Sequence, residues 1–197
     1  MCRDTIDLAQ TRLMIMRLRD CMAHSFVQLD SEARVKQSRE AKPYGLSYAV
    51  EFSQGSVLER AGVALSQVRA SSLPKAALPG RSDCEGCPFE ANGVSIVVHP
   101  KHPFVPTVHA NFRSIVVDLP DGKVKWWFGG GMDLTPYYPV LEDSQYWHQS
   151  IHDCFQGSAY AAFYPRFRQA CDDYFYLPHR QEPRGVGGIF FDDWSEG

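Results

Sequence analysis

Three polar residues in the segment TVHANFRSI, namely His109, Asn111 and Arg113, stand two apart, the spacing that places side chains on one face of a strand. An imidazole, an amide and a guanidinium on a common face can move a proton, orient a ligand and hold an acidic group. Val108, Ala110 and Phe112 fall on the opposite face, which reads as apolar. The preceding segment GVSIVVHP puts Ser95, Val97 and His99 together, with Val94, Ile96 and Val98 behind them. That is more apolar than a solvated strand needs, so both faces are expected to be covered and the polar residues to line a pocket.

A carboxylate joins this set through strand register. In KVKWWFGGGMDLTPYYP, Lys123 to Pro139, the preceding PDG reads as a three-residue hairpin loop with Gly122 in the left-handed conformation. Leu119 then pairs with Lys123, Asp133 comes opposite His109, Gly131 opposite Asn111 and Gly129 opposite Arg113. A two-residue loop would shift the pairing by one and bury Asp133 as a lone carboxylate on the apolar face, which is costly. In the first register, bare glycine backbone leaves room for a flat ligand. Asp133, beside Trp126, Trp127 and Phe128, would accept from its N–H groups, and Arg113 and Arg184 would grip acidic arms in bidentate fashion. The other reading makes the tryptophans core and GGGMDLTP a sheet-to-helix loop capped by Asp133. Neighbouring tryptophans point to opposite faces, so at least one belongs to the core.

The histidines raise a metal question, because His148 and His152 have the i, i+4 spacing that sets two rings on one helix face. No HExxH pattern accompanies them, and a lone pair without a woven-in carboxylate is weak support for a metal. Six cysteines stand at 2, 21, 84, 87, 154 and 171 in a chain too long to need stapling, which fits a reducing, cytoplasmic setting. Cys84 and Cys87 form a single CxxC without a second pair and read as loop cysteines.

The elements that must position these groups follow from periodicity. Ile6 to about Ala41 carries apolar residues at helical spacing and reads as one long or two shorter amphipathic helices. KPYGLSYAVEFSQGSVLERAGVALSQVRA reads as short strands and turns, and SSLPKAALPGRSDCEGCPFEANG as a loop. GVSIVVHP, VPTVHANFRSIVVDL and KVKWWFGGG are strands of a largely antiparallel sheet. Ser144 to about Tyr176 reads as helix broken near Gly157 or Pro165, and HRQEPRGVGGIFFDD as a last loop and strand. The expected fold is α+β, a single domain over residues 1–197 built on a large, mostly antiparallel sheet covered on both faces by helices. A net charge of −3 and a pI near 6.1 argue against nucleic acid or an anionic membrane as the main partner. No run approaches the roughly 20 apolar residues of a membrane span, and Asp4, Asp7 and Asp20 argue against an organelle presequence.

GVSIVVHPKHPFVPTVHANFR, WWFGGGMDLTPYYP and YFYLPHRQEPRGVGGIFFDDW, in that order, resemble the oxygen-dependent coproporphyrinogen III oxidases of haem biosynthesis. The resemblance is strong over about residues 90–194 and looser before them. It implies oxidative decarboxylation of two propionates of coproporphyrinogen III to vinyls, with molecular oxygen as co-substrate, giving protoporphyrinogen IX. It implies His109 as the acid/base histidine and Asp133 as the aspartate facing the pyrrole nitrogens. Ser95, Asn111, Phe112, Arg113 and Arg184 match substrate contacts. No cofactor is implied, although His99, His109, His148 and His179 match histidines proposed to bind a divalent metal in bacterial members. A homodimer is implied for the full-length protein. Family members continue for roughly another hundred residues, so the chain reads as truncated at its C-terminus, with its activity open. Rival readings are a non-catalytic tetrapyrrole-binding fragment and a histidine–metal oxygenase or hydrolase.

Overall fold

The computed structural model describes residues 6–74 and 81–195. Cys2, Asp4 and the middle of the loop before Arg81 lie outside these residues. Helix α1 (Leu8–Leu29) starts where the Asp7 carboxylate accepts from the Gln10 N–H at 2.9 Å. It does not continue to Ala41. Residues Arg34–Lys42 form strand β1, paired over nine residues with β2 (Gly45–Ser53). RVKQSREAK has no strong period of its own, and its partner strand settles its conformation. Strands β3 (Leu58–Ala70), β4 (Phe89–Pro100), β5 (Thr107–Asp118) and β6 (Val124–Thr135) follow. Helices α2 (Leu141–Phe155) and α3 (Tyr164–Tyr174) are separated at Gly157, which has φ 74°, and Pro165 lies in the first turn of α3. A two-strand ribbon of β7 (Tyr176–Leu177) and β8 (Glu182–Pro183) leads to β9 (Gly187–Trp194).

The sheet has seven strands in the order β1-β2-β3-β4-β5-β6-β9, every neighbour antiparallel. Alternation divides the side chains between two faces. On the first, Val63, Leu65, Val94, Ile96 and Ala110 form a core with Ile15 and Phe26 of α1. Farther along that face, Ile189 packs with Ile151 of α2 and Phe167 of α3. On the second face, one end is closed by the loop after β3, where Leu73, Cys84 and Cys87 pack against Trp127 and Val117. The antiparallel α+β architecture is the expected one. Helical cover of the second face is found at the β9 end, where Tyr174 of α3 stacks on Phe190 at 4.0 Å. Over β1 to β4 the second face carries no α-helix among the described residues, only the short 3-10 turn Ser82–Cys84 at one end, and an added Cβ at Gly62 would meet open space.

Two carboxylates fasten α1 to the sheet. Asp30, just past its C-terminus and 3% exposed, accepts from the Ser56, Val57 and Leu58 N–H groups and from the Ser56 hydroxyl. These donors hold its pKa down at about 2, the Leu58 N–H contributing most. Gly55 is required there, since a Cβ would lie 1.9 Å from Asp30 Oδ2. Nearer the N-terminus of α1, Glu90 accepts from both Arg12 Nε and Nη2, from Arg69 Nη2 at 2.6 Å and from Asn92 at 2.9 Å. Arg12 above all lowers the Glu90 pKa to about 2.

Candidate active site

The β5–β6 hairpin builds the centre of the site. Gly122 has φ 81°, Leu119 N–H donates to the Lys123 carbonyl, and the register runs His109↔Asp133, Asn111↔Gly131 and Arg113↔Gly129. This is the pairing expected of a three-residue PDG loop. Asp133 is 1% exposed on the second face. Its Oδ1 lies 3.1 Å from His109 Nδ1, and its Oδ2 accepts from Arg184 Nε at 3.2 Å and Nη2 at 2.9 Å. A carboxylate only accepts, so His109 Nδ1 carries the proton in this contact and Nε2 is left as the ring nitrogen free for a ligand.

Arg184 reaches Asp133 because the β7–β8 ribbon folds it back on Phe175. Its N–H donates to the Phe175 carbonyl at 3.1 Å, and its guanidinium lies 3.9 Å from the Phe175 ring centre. The same ring meets His109 edge-on at 6.5 Å. A cavity of about 400 Å³ opens here on the second face, lined by Val97, His99, His109, Thr135, Tyr137 and Phe175 among others. A partly exposed imidazole, oriented by a buried carboxylate whose charge an arginine balances, is equipped for proton transfer to or from a ligand in that cavity.

Ser95 lies opposite Asn111 in the β4–β5 register, both half-buried on the second face. Neither side chain has a hydrogen-bond partner within the protein among the described residues, so both are free for a ligand. Arg113 stands four residues from His109 on the same strand face, about 13 Å away at ~3.3 Å per residue. Phe112 parts from this group. Its ring packs into the first-face core, the consequence of alternation, and cannot line the cavity.

The expected wall of Trp126, Trp127 and Phe128 is not beside Asp133. Trp127 shares its face but lies six residues away, about 20 Å at ~3.3 Å per residue, under the loop after β3. Trp126 meets Phe128 edge-on at 5.7 Å. The aromatic groups at the carboxylate are Phe175, whose helical spacing pointed to packing rather than to the site, and Tyr137. Nor do the glycines leave space for a ring. A Cβ at Gly129 would strike Asp192 and Arg113, and one at Gly131 would sit 2.8 Å from the Ile189 carbonyl and 3.2 Å from the Phe190 ring.

The four candidate metal histidines are not brought together. His99 and His109 line the cavity, but His148 Nε2 donates to the Val186 carbonyl at 2.8 Å, and His179 is exposed on the turn after β7. His148 Nδ1 is buried without a partner, yet a single nitrogen is no ligand set. His152 is engaged by Gln156 at 2.8 Å. No group of three or more His, Cys, Asp or Glu side chains is gathered for a metal among the described residues. The residues present therefore do not fit the four-histidine site.

Cys171 of α3 is fully buried near Asp133, and burial pushes its thiol up to about 12, Asp133 and Asp172 adding to the effect. Burial also raises the pKa of the Cys84 thiol in the core under the loop after β3. No helix among the described residues is long and apolar enough to cross a membrane.

Comparison with known proteins places the chain in a family. A model described as coproporphyrinogen III oxidase matches residues 10–197. Proteins named oxygen-dependent coproporphyrinogen-III oxidase from three strains of Coxiella burnetii (Dugway, Henzerling II and Nine Mile) are 41% identical over 190 residues. The match covers 96% of this chain and 61% of each relative, so the chain spans about three fifths of the length of the curated relatives it matches.

Proposed function

Since the chain belongs to the coproporphyrinogen III oxidase family, we propose that it forms the sheet and proton-transfer centre of an enzyme that decarboxylates two propionates of coproporphyrinogen III with molecular oxygen. Each step converts a propionic side chain and one O₂ into a vinyl group, CO₂ and H₂O₂, and two steps yield protoporphyrinogen IX. The carrying observation is the His109–Asp133–Arg184 arrangement at the mouth of the second-face cavity.

The reduced tetrapyrrole is a flat acid with four N–H groups and four carboxylates. It lies along the second face, over Ser95 and Asn111. An electron-rich pyrrole reacts with oxygen once its N–H proton is taken or polarised, so the protein's work is to position, shield and move protons. His109 Nε2 is the group that exchanges the proton. Asp133 acts through His109, holding its tautomer and orientation, and Arg184 balances the buried charge. Arg113, about 13 Å farther along the face by strand geometry, takes a carboxylate arm. Molecular oxygen is the co-substrate, and the partner of the whole protein is a second copy in a homodimer, in a cytoplasmic setting.

The test is steady-state oxidation of coproporphyrinogen III by the whole protein. His109→Gln keeps a polar side chain of similar size and removes the titrating ring, and kcat should fall at least about a hundredfold with the fold retained. Arg113→Lys should chiefly raise KM, because the charge stays while the bidentate grip is lost. Near-normal turnover of His109→Gln would remove the imidazole from the reaction.

A further inference from the structure

The triple glycine and the FDDW end of β9 meet at a contact that the proton-transfer centre does not use. Arg113 Nη2 donates to Asp192 Oδ2 at 2.6 Å, both side chains being over a third exposed on the second face. The space for that pair exists because residue 129 is glycine. A Cβ there would lie 2.3 Å from Asp192 Oδ1 and 2.8 Å from Arg113 Nε, closer than real Cβ atoms come.

Besides Arg113, Asp192 is held by the backbone of the next residue, in an irregular end of β9. The β6–β9 register slips between Phe128 and Gly130, and Asp193 adopts φ 56°, a left-handed conformation uncommon for a residue with a side chain. The Asp193 N–H then donates to Asp192 Oδ1 at 3.0 Å. Arg81 lies 4.3 Å from the Trp127 ring centre and donates to Asp193 Oδ1 at 3.3 Å, tying this corner to the buried tryptophan. A bulge, a strained residue and a glycine are thus arranged around one carboxylate, and that carboxylate faces an arginine.

We propose that Asp192 is a positioning residue for substrate binding, which fixes the Arg113 guanidinium on the open face so that its remaining donors receive a carboxylate arm of the substrate. This inference rests on the proposed reading of the His109 face as a tetrapyrrole site. A guanidinium has five N–H donors in a rigid fork, and the Asp192 contact uses one of them. An arginine already held by one edge loses less side-chain freedom when the other edge binds, and its fork keeps one orientation along the strand. Arg113 is remote from the reacting proton, so the benefit belongs to binding rather than to the chemical step.

Kinetics of the whole protein with coproporphyrinogen III test this, using Asp192→Ala, Asp192→Asn, Arg113→Ala and the Asp192→Ala/Arg113→Ala double variant. Asp192→Ala should raise KM about tenfold with kcat within about twofold, and Asp192→Asn, which keeps the shape and an acceptor, should raise KM by a smaller factor. In the Arg113→Ala background, Asp192→Ala should add nothing, because both changes remove one interaction. Should the alanine variant fail to fold, the asparagine variant carries the test. KM unchanged in the folded Asp192 variants, or an undiminished Asp192 effect without Arg113, overturns the assignment. Absence of wild-type turnover would overturn the proposed function and this inference with it, whereas normal wild-type turnover with an indifferent Asp192 overturns the inference alone.

Discussion

Both Asp133 oxygens are engaged, one by His109 and one by Arg184, and the two ends of the ion pair differ in their access to water. The Asp133 side chain is 2% exposed and that of Arg184 37%. Removing the arginine strands a buried charge, whereas removing the carboxylate lets the arginine turn to solvent. Arg184→Leu should therefore destabilise the protein by about 2 kcal/mol and Asp133→Asn by about 1, as read by urea denaturation; the reverse order would contradict the buried pairing. The cysteines offer a second check. Cys21 and Cys154 are exposed, whereas Cys84 and Cys171 are buried with raised thiol pKa values. At pH 8 a thiol reagent should label Cys21 and Cys154 in the native protein and reach Cys84 and Cys171 only on unfolding. At this scale the His109–Asp133 contact was legible because the two-residue loop that PDG also allows would bury Asp133 as a lone carboxylate on the apolar face. Phe175 was not, since the β7–β8 turn is made by Gln181 at φ 56°, and no glycine marks it. The triple glycine, expected to leave room for a flat ligand, is instead filled by Asp192, Arg113 and Phe190, and two of these come from β9, far along the chain.

Helix α1 has few large residues buried against the sheet, and its attachment depends on the two carboxylates that fasten it. Asp30 and Glu90 both have pKa values lowered to about 2 in the folded state. Their contribution is fully present above the ordinary carboxylate range near pH 4 and is lost as pH falls through about 2. Hydrogen exchange on acidification between about pH 4 and 2 should accordingly show α1 amides losing protection before those of β4 and β5. Asp30→Asn and Glu90→Gln should each make that loss less pH-dependent and lower the denaturation midpoint at pH 7. Uniform loss across helix and sheet would argue against this fastening. The boundary between α1 and β1 is not legible in the sequence for a related reason. Beyond Leu29 the chain carries charged and polar residues with no strong period. The Asp30 turn and the β2 pairing, both tertiary, decide where helix ends and strand begins.

The whole sheet has one edge with every residue exposed, β1, and that strand is rich in charge, with Arg34, Lys36, Arg39, Glu40 and Lys42. Such charges discourage edge-to-edge pairing. Replacing Lys36 and Lys42 together by valine should produce concentration-dependent self-association in light scattering, with little change in secondary structure. Strand identity along β4, β5 and β6 was legible from alternation and turn residues, whereas the gathering of helices on the first face was not, because it depends on where α2 and α3 return to the sheet. The strand order has a temporal consequence. Six strands lie in the sheet in the order in which they occur along the chain, so each joins beside the strand that precedes it, while β9 must return across α2 and α3. The imidazole and its carboxylate come from one hairpin and meet early. Arg184 comes from the last segment to dock, so folding carries a stage in which the Asp133 charge has its histidine but not yet its arginine. Pulse-labelled refolding should find the β5–β6 amides protected ahead of those in β9, and the carboxylate sealed from water only as the chain closes over it.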